Sequence, residues 1–250
     1  MPLRVLLINP NTTAAITSRV VAAAASFAPG VDCVGATGRF GASYISNRAA
    51  YAIAGHAALD AWASAEGPFD VVVIACFGDP GLDALREIAS VPVIGMADAS
   101  LHVAMQVSRR FSIVTGGKGW ESMLRDFARS RGVEQCIASI RTVAPTGAAL
   151  SADPERAVAL LRATCRQCVE EDGAEAVIVG GAGLVSFSAR VQAEFPVPVI
   201  DGLQAAMTMA VAVAPLHAAC GQQAAIRSAT ASVECVGISK ELAAAIAGQE

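Results

Sequence analysis

Aromatic residues make up only 5% of this 250-residue chain and charged residues 16%. The first shortage leaves few rings to stack on bases, and a net charge of −4 with no basic run gives a polyanion nothing to bind, so no nucleic-acid partner is expected. Long apolar runs are missing too. The mean hydropathy is +0.51, yet no uninterrupted run reaches the roughly eighteen residues of a membrane span, and no membrane association is expected. The opening, Met1-Pro2 followed by a short apolar stretch to Ile8, is too brief for an export signal, which points to a cytoplasmic protein. Neither a Gly-Lys-Ser/Thr phosphate loop nor the glycine spacing of a dinucleotide site occurs, and no Gly-x-Ser-x-Gly marks a serine nucleophile. His56, His102 and His217 sit in Ala-rich helical patterns without metal-ligand spacing, so structural roles and no metal site are expected.

Cysteine is present seven times, an odd count with scattered spacing that argues against a disulfide framework. Cys165 and Cys168 have the C-x-x-C spelling but fall inside a helical pattern; a redox role would need both thiols exposed at one helix end. Cys76 stands apart by position, where a buried strand pattern runs into a turn.

Ala, Val and Ile dominate the 54% hydrophobic content, which favours helices packed on parallel strands. Strands are expected over residues 4–9, 32–36, 70–75, 91–94, 111–115, 139–143, 176–179, 197–200 and 231–236. Helices are expected over 13–26, 47–65, 81–89, 99–109, 120–131, 154–171, 186–194, 203–219 and 240–247. The alternation indicates an α/β fold. An internal repeat divides it: Asp70 to Cys76 spans six residues and so does Glu175 to Gly181, and each stretch is followed by Val-Pro-Val-Ile, at Val91 and at Val197. Two pseudo-symmetric lobes follow, each a mainly parallel sheet flanked by helices. Their expected extents are 1–97 plus 204–250 for the first and 98–203 for the second, with the ligand site in the cleft between them.

Turns at strand ends supply the candidate site. Asn9-Pro10-Asn11-Thr12-Thr13 either caps the first helix through its side chains or offers Asn11 and Thr12 to a ligand. Cys76-Phe77-Gly78-Asp79-Pro80 is a strand-to-helix turn whose amides would stabilise a thiolate and lower the Cys76 pKa; Asp79 either caps the helix or positions a ligand. Thr115-Gly116-Gly117 and Gly180-Gly181-Ala182-Gly183 present further backbone amides suited to a carboxylate or ring carbonyl.

Ile8-Asn9-Pro10-Asn11-Thr12, Ala75-Cys76-Phe77-Gly78-Asp79-Pro80-Gly81-Leu82, Val91-Pro92-Val93-Ile94-Gly95 and Val197-Pro198-Val199-Ile200-Asp201 together resemble the aspartate/glutamate/hydantoin racemase superfamily, in particular its hydantoin and allantoin racemase branch. The resemblance implies a cofactor-independent enzyme with its site between two lobes, and a homo-oligomer acting on a small molecule. It also implies a cysteine on each side of the substrate carbon, one removing a proton and the other returning one. The first maps to Cys76; the second falls on Gly181, which supplies neither acid nor base. Substrate contacts would come from Asn11, Thr12, Phe77, Gly78, Thr115, Gly116, Gly181 and Ala182. A hydantoin-racemase-like enzyme using one thiol therefore stands beside a one-thiol hydrolase or lyase, such as a thiohydantoin desulfhydrase or a malonate decarboxylase. A non-catalytic small-molecule-binding protein is the reading of a different class.

Overall fold

The computed structural model describes residues 2–143, 153–220 and 233–247. The first sheet holds β1 (Arg4–Asn9), β2 (Asp32–Thr37), β3 (Val71–Ile74) and β4 (Val93–Gly95), in the order β2-β1-β3-β4. The second holds β5 (Phe111–Gly116), β6 (Ile137–Val143), β7 (Ala176–Gly180) and β8 (Val199–Asp201), in the order β6-β5-β7-β8. Every pairing is parallel, and the two orders are the same, so the internal repeat is a repeat of topology. The central strands β3, β5 and β7 are buried at every residue, as expected of apolar runs covered on both faces.

The helices are α1 (Ala14–Phe27), α2 (Arg48–Ala63), α3 (Leu82–Ile88), α4 (Met96–Val107), α5 (Trp120–Ser130), α6 (Pro154–Glu170), α7 (Gly202–Ala219) and α8 (Lys240–Ile246). Asn47 caps α2 by accepting from Ala50 N, and Asp153 caps α6 ahead of Pro154; Ser151 lies outside the described residues. Successive residues of the second sheet feed two cores. Phe111, Ile113, Ala176 and Ile178 join a cluster shared with the first sheet, while Val114, Val177 and Val179 pack on α6 with Cys165 and Cys168. Helices α4 and α7 cross between the sheets: α4 packs on β7, and α7 packs on β3 and β4 as well as on α4. By length and composition α7 could cross a membrane, but Leu203, Ala206, Met207 and Ala210 are buried against both sheets, as in a core helix.

Two expectations are corrected. Residues 186–194 form two 3-10 turns, Ser188–Arg190 and Gln192–Glu194, not an α-helix. Ser186 takes a left-handed backbone (φ 70°) at the start of this stretch, and Pro196 holds Phe195 extended at its end. Residues 233–236 form no strand, the rest of that stretch lying outside the described residues; Val233 and Val236 are exposed and bury no side chain against either sheet. Cys165 and Cys168 lie inside α6, in keeping with the helical pattern, buried under the second sheet without the exposure that a redox pair would need, and burial raises both thiol pKa values.

The lobes cap their cleft helices in opposite ways. In the second, Asp201 ends β8 and its carboxylate accepts from Leu203 N, Gln204 N, Ser186 N and Ser188 Oγ. In the first, the matching strand end is Gly95, and the carboxylate comes from Asp79 on the preceding turn, accepting from Ala97 N (2.9 Å) and Asp98 N (2.7 Å) of α4. A Cβ on Gly95 would overlap the Asp79 carboxylate. Asp79 thus caps α4 and not the nearer α3.

Burial lifts the Asp79 pKa to about 7, against the opposing pull of the two amides. The folded protein therefore keeps a proton there that the unfolded chain loses near pH 4. The stability this contributes is full below about pH 4 and declines as pH rises to about 7. Asp79→Asn should flatten that decline, measured as the difference between urea midpoints of the two proteins at pH 4.5 and 7.5. Parallel pH trends in the two proteins would show that Asp79 does not titrate in this window.

Candidate active site

The carboxyl ends of β1, β3, β5 and β7 meet at one cavity of about 290 Å³. Asn11, Cys76, Phe77, Thr115, Gly116, Gly181 and Ala182 line it. Thr12 and Gly78 do not: Thr12 N donates to Ala42 O, and Gly78 O accepts from Tyr51 Oη (2.7 Å) on the far side of the turn. Gly78 has φ 121°, and a Cβ there would run into the Trp120 ring.

Phe77 sets the relation between the lobes. Its ring lies against Gly180 and Gly202 of the second lobe so closely that a Cβ on Gly180 would overlap it. That contact brings the turn carrying Cys76 against the turn carrying Gly181. The two turns are alike in hydrogen bonding. Asp79 N closes the first onto Cys76 O (2.9 Å), and Leu184 N closes the second onto Gly181 O (2.9 Å). The amides of Cys76, Phe77 and Gly78, and those of Gly181, Ala182 and Gly183, donate to no acceptor among the described residues. Of these residues Cys76, Phe77, Gly181, Ala182 and Gly183 line the cavity, where free amides suit oxygen atoms of a ligand.

Asn11 is held by its own oxygen, which accepts from Asn9 Nδ2 (3.0 Å) and Thr13 N (2.9 Å). Its Nδ2 donates to no acceptor among the described residues, although the residue is only 7% exposed, which leaves a donor at the cavity wall. Asn9 fixes this arrangement by also donating to Thr13 O and Thr17 Oγ1. The Asn-Pro-Asn run therefore serves both readings, one asparagine organising the helix start and the other facing the cavity.

The Cys76 thiol is buried, and its pKa is raised above the usual thiol value, first by burial and second by the neighbouring Asp79. The expectation of a lowered pKa is thus overturned. Helix α3 begins six residues beyond Cys76, at Leu82, too far for its first turn to offset the loss of solvent at the thiol. The free protein carries Cys76 as a protonated thiol.

Sequence reading missed the segment after β2, which supplies Ser43, Tyr44 and Ile45, and also missed Arg19 of α1 and Trp120 of α5. Tyr44 Oη donates to Gly116 O (3.1 Å) and Trp120 Nε1 to Ile45 O (3.0 Å), tying this segment across to the second lobe. A signal was available: the chain has two tyrosines and two tryptophans, of which Tyr44 and Trp120 line this cavity, with Tyr51 edge-on to Trp120 behind it. The histidines lie elsewhere, His56 against Phe40 and His102 on Asp98 O. Among the described residues no group of three His, Cys, Asp or Glu is placed to hold a metal ion.

Residues 5–210 match the family described as Asp/Glu/Hydantoin racemase. The hydantoin racemase of Rhizobium meliloti is 39% identical over 207 residues, covering 82% of this chain and 86% of its own. That of Paenarthrobacter aurescens is 36% identical over 218 residues, with 83% and 89% covered. The structure of allantoin racemase from Klebsiella pneumoniae superposes with a TM-score of 0.85 at 33% identity, covering 96% of this chain and 98% of that one. With its paired sheets, shared cleft and relatives of nearly equal length, the chain belongs to the Asp/Glu/hydantoin racemase family and is a racemase-like enzyme of it.

Proposed function

We propose that this chain catalyses proton transfer at the carbon beside a carbonyl in a small hydantoin-type ring, with Cys76 as the acid–base group and without a cofactor. The observation that carries the reading is the pairing of two matching turns on one cavity, Cys76 at the head of the first and Gly181 at the head of the second. Ring oxygens accept from the free amides of the two turns, and the Asn11 amide adds a donor. Negative charge developing on a ring oxygen as the proton leaves is stabilised by those amides. Ile16, Ile45 and Leu184 give the remaining wall an apolar character suited to a hydrocarbon substituent.

Each enantiomer of 5-benzylhydantoin, incubated with the protein in D₂O, tests this reading: deuterium should enter at the ring carbon. No uptake from either enantiomer above the protein-free rate would overturn it. A second reading has its own support. A protonated thiol on one side and no side chain on the other suit one-faced protonation of an enolate, as in decarboxylation of a malonate. A panel adding arylmalonates and thiohydantoins to the hydantoins, followed by mass, separates the two.

Proton removal needs the thiolate, and the raised thiol pKa keeps that form scarce. The enzymatic exchange rate should therefore climb about tenfold per pH unit between pH 6.5 and 8.5. A plateau near pH 7 in the blank-corrected profile would show a thiol with a lowered pKa, and a bend toward a plateau by about pH 8.5 one with an ordinary pKa.

A further inference from the structure

We infer that the hydroxyl of Thr115 holds a water on the Gly181 side of the cavity, making Thr115 the positioning residue for proton transfer on the face opposite Cys76. The inference rests on the proton-transfer reading above and supplies the partner that Gly181 does not. Thr115 ends β5 beside Gly180 of β7 and lines the cavity. It is only 3% exposed, yet its hydroxyl makes no hydrogen bond among the described residues. Ser100 donates to Met96 O, Ser112 pairs with Ser139 and Thr17 with Thr37, while Ser64 Oγ is sealed without a partner; the Thr115 hydroxyl is not sealed in that way, because the residue lines the cavity.

Its neighbour explains what the hydroxyl faces. A Cβ built on Gly181 would meet one atom within 4 Å, Thr115 Oγ1 at 3.6 Å. The space a side chain would fill is therefore bordered by a hydroxyl, at the head of a turn whose Gly181, Ala182 and Gly183 amides donate to no acceptor among the described residues. A water held there by the Thr115 hydroxyl would take a second partner, as an ordered water requires, from an unpaired amide of this turn. Gly181 has φ 117°, a backbone state that glycine adopts without strain and other residues rarely do, so the turn itself favours keeping the space open.

The step balances as follows. The Cys76 thiolate takes the proton from the ring carbon; the C–H bond breaks, S–H forms, and the electron pair passes to the ring carbonyl as an enolate. On the other face the water's O–H bond breaks, its proton joins carbon, and hydroxide remains. The thiol proton and the hydroxide recombine as water through solvent, returning the site to its starting state with the configuration inverted.

Solvent exchange and inversion are then separable, since label returned by Cys76 keeps the configuration and label delivered from the Gly181 side inverts it. For the 5-benzylhydantoin enantiomer whose proton faces Cys76, both rates are followed in D₂O by chiral chromatography with mass detection. Thr115→Val should lower the ratio of inversion to exchange at least tenfold, and Thr115→Ser should restore it to within about threefold. Gly181→Ala, whose methyl occupies the water's place, should lower the same ratio, and serves if Thr115→Val does not fold. A ratio unmoved in these variants overturns the assignment, as does exchange without inversion in the unaltered chain; both leave the proton-transfer reading standing. Absence of label from either enantiomer overturns the proton-transfer reading, and this inference falls with it.

Discussion

Cys76→Ser should reduce proton exchange at the ring carbon at least about a hundredfold while leaving the fold in place. Serine keeps the size of the side chain in a turn already fixed by the hydrogen bond from Asp79 N to Cys76 O, by Tyr51 on Gly78 O, and by the Phe77 ring in the second lobe. It changes the acid. A serine hydroxyl ionises far less readily than a thiol, and the burial that raises the Cys76 pKa acts on serine as well. Circular dichroism and thermal melts establish that the variant folds, and label uptake in D₂O reads the chemistry. Uptake near that of the unaltered protein would remove Cys76 from the mechanism. The Cys165→Ser and Cys168→Ser variants serve as controls, because those thiols pack under the second sheet away from the cavity.

Gly181→Cys should raise inversion relative to exchange at least tenfold, the second large effect. The variant sets a thiol opposite Cys76, where the structure leaves room for a Cβ. A positioned acid–base side chain contributes about 10²–10⁴ in rate, and a thiol is a much better proton donor to carbon than a held water. Backbone strain limits the gain. At φ 117° a residue with a side chain costs about 1–2 kcal/mol, so the variant should melt several degrees lower. Unaltered inversion in a folded Gly181→Cys protein would show that the new thiol does not reach the substrate carbon.

Much of the architecture is legible in the chain because the repeat is a repeat of buried strands. The apolar runs at 71–74 and 176–180 admit only the two-sided burial of a parallel sheet, and each Val-Pro-Val-Ile run feeds a short edge strand. Asn11 and Cys76 can be picked out because they follow such strands directly. The segment around Tyr44 cannot, since it has no regular structure and its position depends on bonds to Gly116 and Trp120, more than seventy residues away in the chain. Distance in sequence also hides the partner of Asp79. A carboxylate just before α3 reads as the cap of α3, and only the fold reveals that α4, eighteen residues on, takes it. The direction of the Cys76 shift escapes for a related reason: burial is a property of the assembled cleft, while the turn's amides are visible in one dimension.

The seating of Phe77 bears on how a ligand gets in and out. Swinging the two sheets apart would draw that ring off Gly180 and Gly202 and part a core that runs unbroken from one sheet to the other through α4 and α7. Exposing one phenylalanine costs about 2–3 kcal/mol, which alone confines such an open form to roughly one molecule in a hundred. Traffic through the cavity is therefore cheaper past the irregular stretch of Ser43 and Tyr44, which hydrogen bonds such as Tyr44 Oη to Gly116 O and Thr13 Oγ1 to Ser43 O hold in place, while Ile45 beside them stays in the core. On that route, turnover is gated by a short loop and the sheets stay still, so product release should respond to changes at Tyr44 before it responds to changes at the lobe boundary.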